Sequence, residues 1–375
     1  MRIEHQDMFS FFSSSNFPFI SVKNEYFLIS DVSDDDKKLV IRNLSYVSVA
    51  ELEDDLLIYG DIDEFQRCMK HIRNSGGELF ELLYENLSPY FYVGDFSLPS
   101  LSLKSNKTLQ FNAPVIMGIV NATPDSFYGE SRIKNEKEVI RKVKEMVEDG
   151  AGIIDIGGES TRPGSDSIDE EEEIKRVIPI IKMIKKELDV IVSVDTYRVK
   201  TASLAVEAGA DIVNDITSMN GDREMVKFLA LNDIPVVLMH MKGTPKNMQK
   251  NPFYTDVIGE ITDYFNERIQ YAEKNNLPRK NLIIDPGIGF GKRLSDNLEI
   301  MRNLEVFKKF NLPLLLGTSR KSFIGKVLNQ MHPGERLEGT LATTAIGVEK
   351  GVNIFRVHDV KQNSFVANMA FSIMK

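Results

Sequence analysis

Three kinds of reactive side chain close apolar runs in the second two-thirds of this chain. Asp195, Asn214 and Asp285 are the first kind. A carboxylate in an apolar cleft accepts two parallel N–H groups of a flat heterocycle at once, so it can read the edge of one. The same aspartates could merely cap the helices that follow, and at this point both readings stand. Arg356 and His358 are the second kind. They lie two apart at the end of a run, so in a strand both face one side and can hold an anion together. An ion pair with Asp359 is the alternative. The third kind is the helix start at Lys321-Ser322. A helix N-terminus binds carboxylates through its free N–H groups. A plain first-turn role for Ser322 is the alternative.

The elements that must position these residues are eight short apolar runs. They are Val115–Val120, Gly152–Ile156, Val190–Val194, Asp211–Val213, Pro235–Met239, Asn281–Ile284, Leu312–Leu316 and Val352–Val357. Each ends in a polar or glycine-rich cluster. In order, these are Asn121–Phe127, Gly157–Gly164, Asp195-Thr196, Asn214-Asp215, His240, Asp285–Lys292, Ser319–Ser322 and His358-Asp359. Strands alternating with helical patterns give βαβ units and a parallel sheet. Eight units predict an α/β fold, the (β/α)8 TIM barrel, with its chemistry at the C-terminal strand ends. Helical spacing predicts helices over Asn135–Glu148, Glu170–Leu188, Lys200–Ala208, Tyr254–Lys274, Arg336–Glu349 and Val360–Met374. The acidic run Glu170–Glu173 reads as a solvated first turn that suits the helix dipole, not as a metal site.

The chain has 375 residues, enough for a barrel of about 250 residues and a small extra domain. It has one cysteine, Cys68, so a disulfide framework is excluded and a reducing compartment expected. It has no apolar span of membrane length and no signal-peptide pattern, which makes the cytoplasm the default. Residues 1–110 hold 10 Lys and Arg against 18 Asp and Glu, a balance of −8 within the chain's −9. That acidic head argues against nucleic-acid binding.

The head, residues 1–105, reads as a small α+β domain of unknown role. Strands are expected at Asn24–Ser30, Lys38–Arg42 and Leu56–Tyr59. A helix is expected from the N-cap Asp61, with Glu64 completing a capping box, to about Asn74. The lone histidines His5 and His71 read as surface or packing residues. Leu98–Thr108, Ser-rich and polar, reads as a linker to the catalytic barrel of residues 111–375.

The clusters resemble those of dihydropteroate synthases, the folate-pathway enzymes that sulfonamides target. The resemblance covers roughly residues 112–375, in order. Gly157-Gly-Glu-Ser-Thr-Arg-Pro-Gly164 and Ser319-Arg-Lys-Ser322 are its specific strings; an Asp-Pro-Gly alone would be weak. The chain departs from many relatives at Gly129-Glu130, where a paired glycine is common, and at Ala122, where valine is common.

The resemblance implies the substrates 6-hydroxymethyl-7,8-dihydropterin diphosphate and p-aminobenzoate, and the products 7,8-dihydropteroate and pyrophosphate. It implies that Asp195, Asn214 and Asp285 hold the pterin and that Met239 and Phe290 line its pocket and mouth. Lys321 would contact the pterin carbonyl. The p-aminobenzoate carboxylate would lie at Ser322, its ring between Phe127, Thr161, Pro163 and Phe290. Asn121, Arg356 and His358 would hold the diphosphate, with Arg162 swinging over it. Asn121 would also be the contact for Mg2+, which commonly takes few protein oxygens beside phosphate and water. Fixed positive charge would stabilise the leaving oxygens, and no strong general base is required. The loops after strands one and two would order to exclude water. A homodimer through barrel helices is a further expectation.

Two other readings stand beside this one. A methyltetrahydrofolate-binding methyltransferase shares the pterin-reading barrel, but it has no use for Ser319–Ser322 or Thr161–Pro163. A non-catalytic pterin-binding barrel is the other, and the retention of Asn121, Arg162, Asp195, Lys321, Arg356 and His358 speaks against it.

Overall fold

A computed structural model of the chain describes residues 2–5, 25–52, 55–75, 77–87, 100–104, 107–122, 132–159, 168–329 and 332–374. Two units emerge, Met1–Ser97 with Glu305–Asn311, and Leu98–Leu304 with Leu312–Lys375.

In the first unit, β1 (Arg2–His5), β2 (Glu25–Ser30), β3 (Ser48–Glu51) and β4 (Leu56–Gly60) form an antiparallel sheet in the order β1-β2-β4-β3. Helices α1 (Asp34–Asn43), α2 (Ile62–Ser75) and α3 (Glu78–Leu87) share a core with it around Phe27, Ile29, Val40, Ile58 and Phe65. The capping box at Asp61 forms. Glu64 N donates to Asp61 Oδ1 at 2.7 Å, and Asp61 N to Glu64 Oε2 at 2.9 Å. The expected strand at Lys38–Arg42 is instead the second half of α1. Leu39-Val-Ile41 suggests a strand, but the start signal outweighs it. Ser33 Oγ accepts from Asp36 N, and Asp34, Asp35 and Asp36 fill the first turn beside the positive end of the dipole.

The second unit opens with a hairpin, β5 (Ser100–Ser102) against β6 (Thr108–Gln110). This corrects the linker reading. Among polar neighbours Leu101 and Leu109 alternate inward and are buried, which is a short strand's pattern. Eight parallel strands follow: β7 (Val115–Asn121), β8 (Ala151–Gly157), β9 (Ile191–Asp195), β10 (Ile212–Asp215), β11 (Val236–Met239), β12 (Leu282–Asp285), β13 (Leu315–Leu316) and β14 (Ile354–Val357). Their ladder runs β12-β11-β10-β9-β8-β7-β14-β13, and a parallel bridge from Ile284 to Leu314 closes it into a barrel. Helices α4 (Arg132–Glu148), α5 (Glu170–Glu187), α6 (Val199–Glu207), α7 (Met225–Asn232), α8 (Val257–Lys274), α9 (Leu294–Arg302), α10 (Ser322–Leu328), α11 (Leu337–Glu349) and α12 (Val360–Met374) connect or follow the strands. The expected helix bounds hold to within about three residues, while α7 and α9 were not anticipated.

The barrel floor decides which side chains reach the site. Met117, Ile153, Ile212, Val237, Ile283, Leu315 and Ile354, one from each of seven strands, pack together, and Ile191 of the eighth lies against them. From below, Leu101, Leu103, Leu109 and Phe111 of the hairpin segment seal this layer. Strand side chains alternate faces, so the residue two further on points inward again one layer higher. Stepping from Ile153, Ile212, Val237, Ile283 and Ile354 gives Asp155, Asn214, Met239, Asp285 and Arg356. A second step on β7, β8, β9 and β14 gives Asn121, Gly157, Asp195 and His358. A one-residue slip in any strand would turn its polar group away from this axis.

One acid of the first turn of α5 departs from expectation. Glu173 is 1% exposed, and its Oε2 accepts from Arg198 Nη1 at 2.9 Å and Thr201 Oγ1 at 2.7 Å. Helical spacing turns the fourth residue of the run inward while Glu170 and Glu171 stay at the surface.

Candidate active site

At the centre of the upper layers one guanidinium faces two carboxylates. Arg356 Nε donates to Asp155 Oδ2 and Arg356 Nη2 to Asp195 Oδ2, both at 2.7 Å. Asp195 lies opposite Gly157 on one side and Asn214 on the other, and Arg356 opposite Met117. Burial pushes the Asp195 carboxyl up to about 7; Arg356 opposes the shift and Asp155 adds to it. Burial would lower the pKa of Arg356, but Asp155 and Asp195 outweigh it and the net shift is upward. Asp155 Oδ1 is buried and has no hydrogen-bond partner among the described residues. An acceptor sealed in this way costs stability until a donor reaches it.

Asp285 and Lys321 form the second group. Asp285 lies opposite Met239 at the end of β12, and its Oδ1 accepts from Gly287 N at 2.7 Å. Burial raises its pKa, against the pull of Lys321. Lys321 precedes α10, and its Nζ sits 4.6 Å from the centre of the Phe290 ring and donates to the Ile288 carbonyl. Burial lowers its amine to about 8; Asp285 resists the shift and Arg356 adds to it. An amine, a carboxylate and an aromatic face therefore meet at one wall, which suits a planar, polar-edged ligand. Ser322 is exposed in the first turn of α10.

The third group is the rim. Asn121 is exposed at the end of β7, and its amide makes no hydrogen bond among the described residues. His358 is oriented by Ser319, whose Oγ lies 2.9 Å from His358 Nδ1 and accepts from His358 N at 3.1 Å. Asp359 pairs with Arg320 at 2.7 Å, and Arg356 pairs instead with Asp155 and Asp195. Phe127, Thr161, Arg162 and Pro163 lie outside the described residues. Both stems of the segment carrying the last three are held by one side chain. Arg198 Nη2 is 2.8 Å from Glu159 Oε2 and 2.8 Å from the Ile168 carbonyl.

The geometry suits a flat, polar-edged ligand deep in a TIM barrel. Residues 117–358 match the sequence profile described as "Pterin binding enzyme". The chain is 47% identical over 261 residues to the dihydropteroate synthase of Clostridium beijerinckii, covering 69% of this chain and 94% of that one. The chain belongs to the dihydropteroate synthase family. Solved structures agree. The Yersinia pestis dihydropteroate synthase in a sulfonamide complex superposes with a TM-score of 0.69 at 37% identity, over 73% of this chain and 99% of that one. The Xanthomonas albilineans dihydropteroate synthase with 4-aminobenzoic acid gives 0.69 at 34%, over 74% and 99%.

Within this family frame, several residues at the site were not singled out from the sequence. Asp155 is the chief one. The signal was present, because a charged residue stands at an inward position of an otherwise apolar strand, two before Gly157. Ser319, Glu159 and Lys292 lie inside the recognisable strings, which by themselves assign them no role. His240 and Asp215, at strand ends, serve the scaffold. His240 Nδ1 lies 2.9 Å from Lys292 Nζ. Asp215 accepts from Thr217 N, Thr217 Oγ1 and Met219 N.

Proposed function

We infer that this chain condenses 6-hydroxymethyl-7,8-dihydropterin diphosphate with p-aminobenzoate, giving 7,8-dihydropteroate and pyrophosphate. The observation that carries the reading is the inward layer Asp155, Asn214, Met239, Asp285 and Arg356 with Lys321 beside it, inside a chain of this family. Asp285, Asn214 and Asp195 hold the pterin, Asp195 with its carboxylate on Arg356, and Met239 gives the pocket an apolar wall. Lys321 donates to the pterin carbonyl. The C–O bond to the diphosphate breaks, the aniline nitrogen forms the new C–N bond, and that nitrogen then loses a proton. Negative charge grows on the leaving oxygens, so Arg356 and Arg162 lower the barrier by fixed positive charge and His358 by a hydrogen bond. Phe290, Phe127, Thr161 and Pro163 hold the aryl ring, and Ser322 binds its carboxylate.

Among the described residues no group of three or more His, Cys, Asp or Glu could hold a metal ion. The uncommitted Asn121 amide fits the other kind of site, in which Mg2+ takes one protein oxygen and relies on phosphate and water for the rest. When bound there, the ion would supply charge to the leaving diphosphate.

A homodimer is supported by a stripe on α12. Phe365, Met369 and Ile373 are 64%, 64% and 73% exposed at four-residue spacing, and Ile346 of α11 is exposed too. An apolar stripe of that kind is covered in most soluble proteins. Among the described residues no helix is long and apolar enough to cross a membrane. Small anionic substrates and a single buried cysteine, Cys68, fit a cytoplasmic enzyme.

The test is pyrophosphate release from the pterin diphosphate with and without p-aminobenzoate and Mg2+. Release that needs both, with dihydropteroate formed and sulfonamide competing against p-aminobenzoate, is expected. Pterin binding without turnover would leave a non-catalytic barrel, and methyl transfer from methyltetrahydrofolate would point to the methyltransferase.

A further inference from the structure

The string Asp285–Lys292 ends in a lysine to which the proposed chemistry gives no part. Lys292 is 4% exposed, yet none of its hydrogen-bond partners is an acid. Its Nζ lies 2.9 Å from His240 Nδ1, 3.2 Å from the His240 carbonyl, 2.9 Å from the Gly287 carbonyl and 3.2 Å from the Phe290 carbonyl. Burial first, then Lys292 and Lys242, hold the His240 pKa down at about 2, so its imidazole stays neutral and Nδ1 can accept. Desolvating an amine to bind only neutral acceptors is costly, so its place is set by what it grips.

What it grips is a tight turn. Phe290 N donates to the Gly287 carbonyl at 3.1 Å, closing a four-residue turn. Gly289 has φ +83, the value a type II turn needs at its third position. Lys292 binds the carbonyls of both end residues, Gly287 and Phe290. The other carbonyls of the loop are also taken: Ile288 by Lys321, Gly289 by Gln249 at 2.8 Å and Gly291 by Tyr254 at 2.8 Å. The turn also presses on the end of β11. A Cβ on Gly287 would come within 1.9 Å of the His240 carbonyl.

We propose that Lys292 is a positioning residue that locks the Gly287–Phe290 turn, and through it sets the Phe290 ring for the aryl-amine substrate. The proposal rests on the reading of the site given above. Lys292 itself touches no reacting atom; it acts through Phe290.

A double-mutant cycle between K292M and F290A tests this, with KM measured separately for p-aminobenzoate and for the pterin diphosphate. Each single variant is expected to raise the p-aminobenzoate KM about tenfold, near the worth of one well-placed aromatic contact. The pterin KM should move less than the p-aminobenzoate KM. The double variant should be no more than about twofold worse than F290A alone, because both act through one ring. Multiplying effects, or a fall in kcat with both KM values unchanged, would overturn the proposal. If K292M does not fold, K292L, which also removes the N–H donors, carries the same cycle. Failure of both to fold would assign Lys292 to stability alone and also overturn it. Wild-type protein without turnover would sink the functional reading instead, so the two failures are distinct.

Discussion

Two truncations, one starting at Leu98 and one at Asn106, differ by eight residues and should behave differently. The second removes β5, and with it Leu101 and Leu103, which are 0% and 5% exposed in the floor of the barrel. Burying a leucine side chain is worth about 1.5–3 kcal/mol, so the pair contributes roughly 3–6 kcal/mol, and the cavity left behind adds to the loss. Whole domains are stable by only about 5–15 kcal/mol. For a chain of this size that predicts a midpoint roughly 10–20 °C lower for residues 106–375 than for residues 98–375. Thermal melting by circular dichroism, run beside the turnover assay, reads both. Residues 98–375 are expected to keep measurable turnover, since the C. beijerinckii relative has 94% of its length matched within 261 residues. Equal midpoints would refute the sealing role of the hairpin. A folded but inactive 98–375 piece would show that the head supplies part of the site.

Three further outcomes are expected. The Lys321 amine, lowered to about 8, is protonated below that pH and neutral above it, so kcat/KM should fall as pH rises through about 8. K321A should lose about 10²–10³-fold in rate and that basic limb with it; a wild-type profile flat to pH 10 would remove Lys321 from the step. D285N should weaken pterin binding, because a carboxamide cannot accept two N–H bonds as a carboxylate does, and unchanged affinity by calorimetry would end that role. R356M strands the carboxylates of Asp155 and Asp195 and should cost about 3–5 kcal/mol near pH 8. Protonation of Asp195, whose pKa burial raises to about 7, relieves its stranding, so the loss should shrink towards pH 5. A pH-independent loss in urea melts would show that packing, not charge, is what Arg356 contributes.

Much of this was legible in the sequence. The eight runs became eight strands because each has an apolar stretch with a polar stop, and Asp195, Asn214 and Asp285 stand at the stops. Asp155 escaped attention because it lies inside a run, where the eye follows the isoleucines on either side. Only the floor layer, built from seven separate strands, fixes which face is inward. Lys38–Arg42 misled because three aliphatic residues in a row look like a strand when the cap five residues earlier is ignored. The Ser-rich stretch before the barrel misled for a related reason. Its two short strands hold only one buried leucine each, too few to register as a period. Glu173 required the partner Arg198, 25 positions away, which no local pattern supplies.

The stacking of the barrel interior has a kinetic meaning. Asn214, Met239, Asp285, Asn121, Asp195 and His358 stand beyond the floor at the C-terminal ends of their strands, and the hairpin seals the lower end. A closed-ended well of this kind fills from the bottom. On the proposed reading, the molecule read deep in the well must enter before anything settles over it, and because the reaction joins the two substrates, the product leaves as one. Depth in the barrel would thus set the order of arrival.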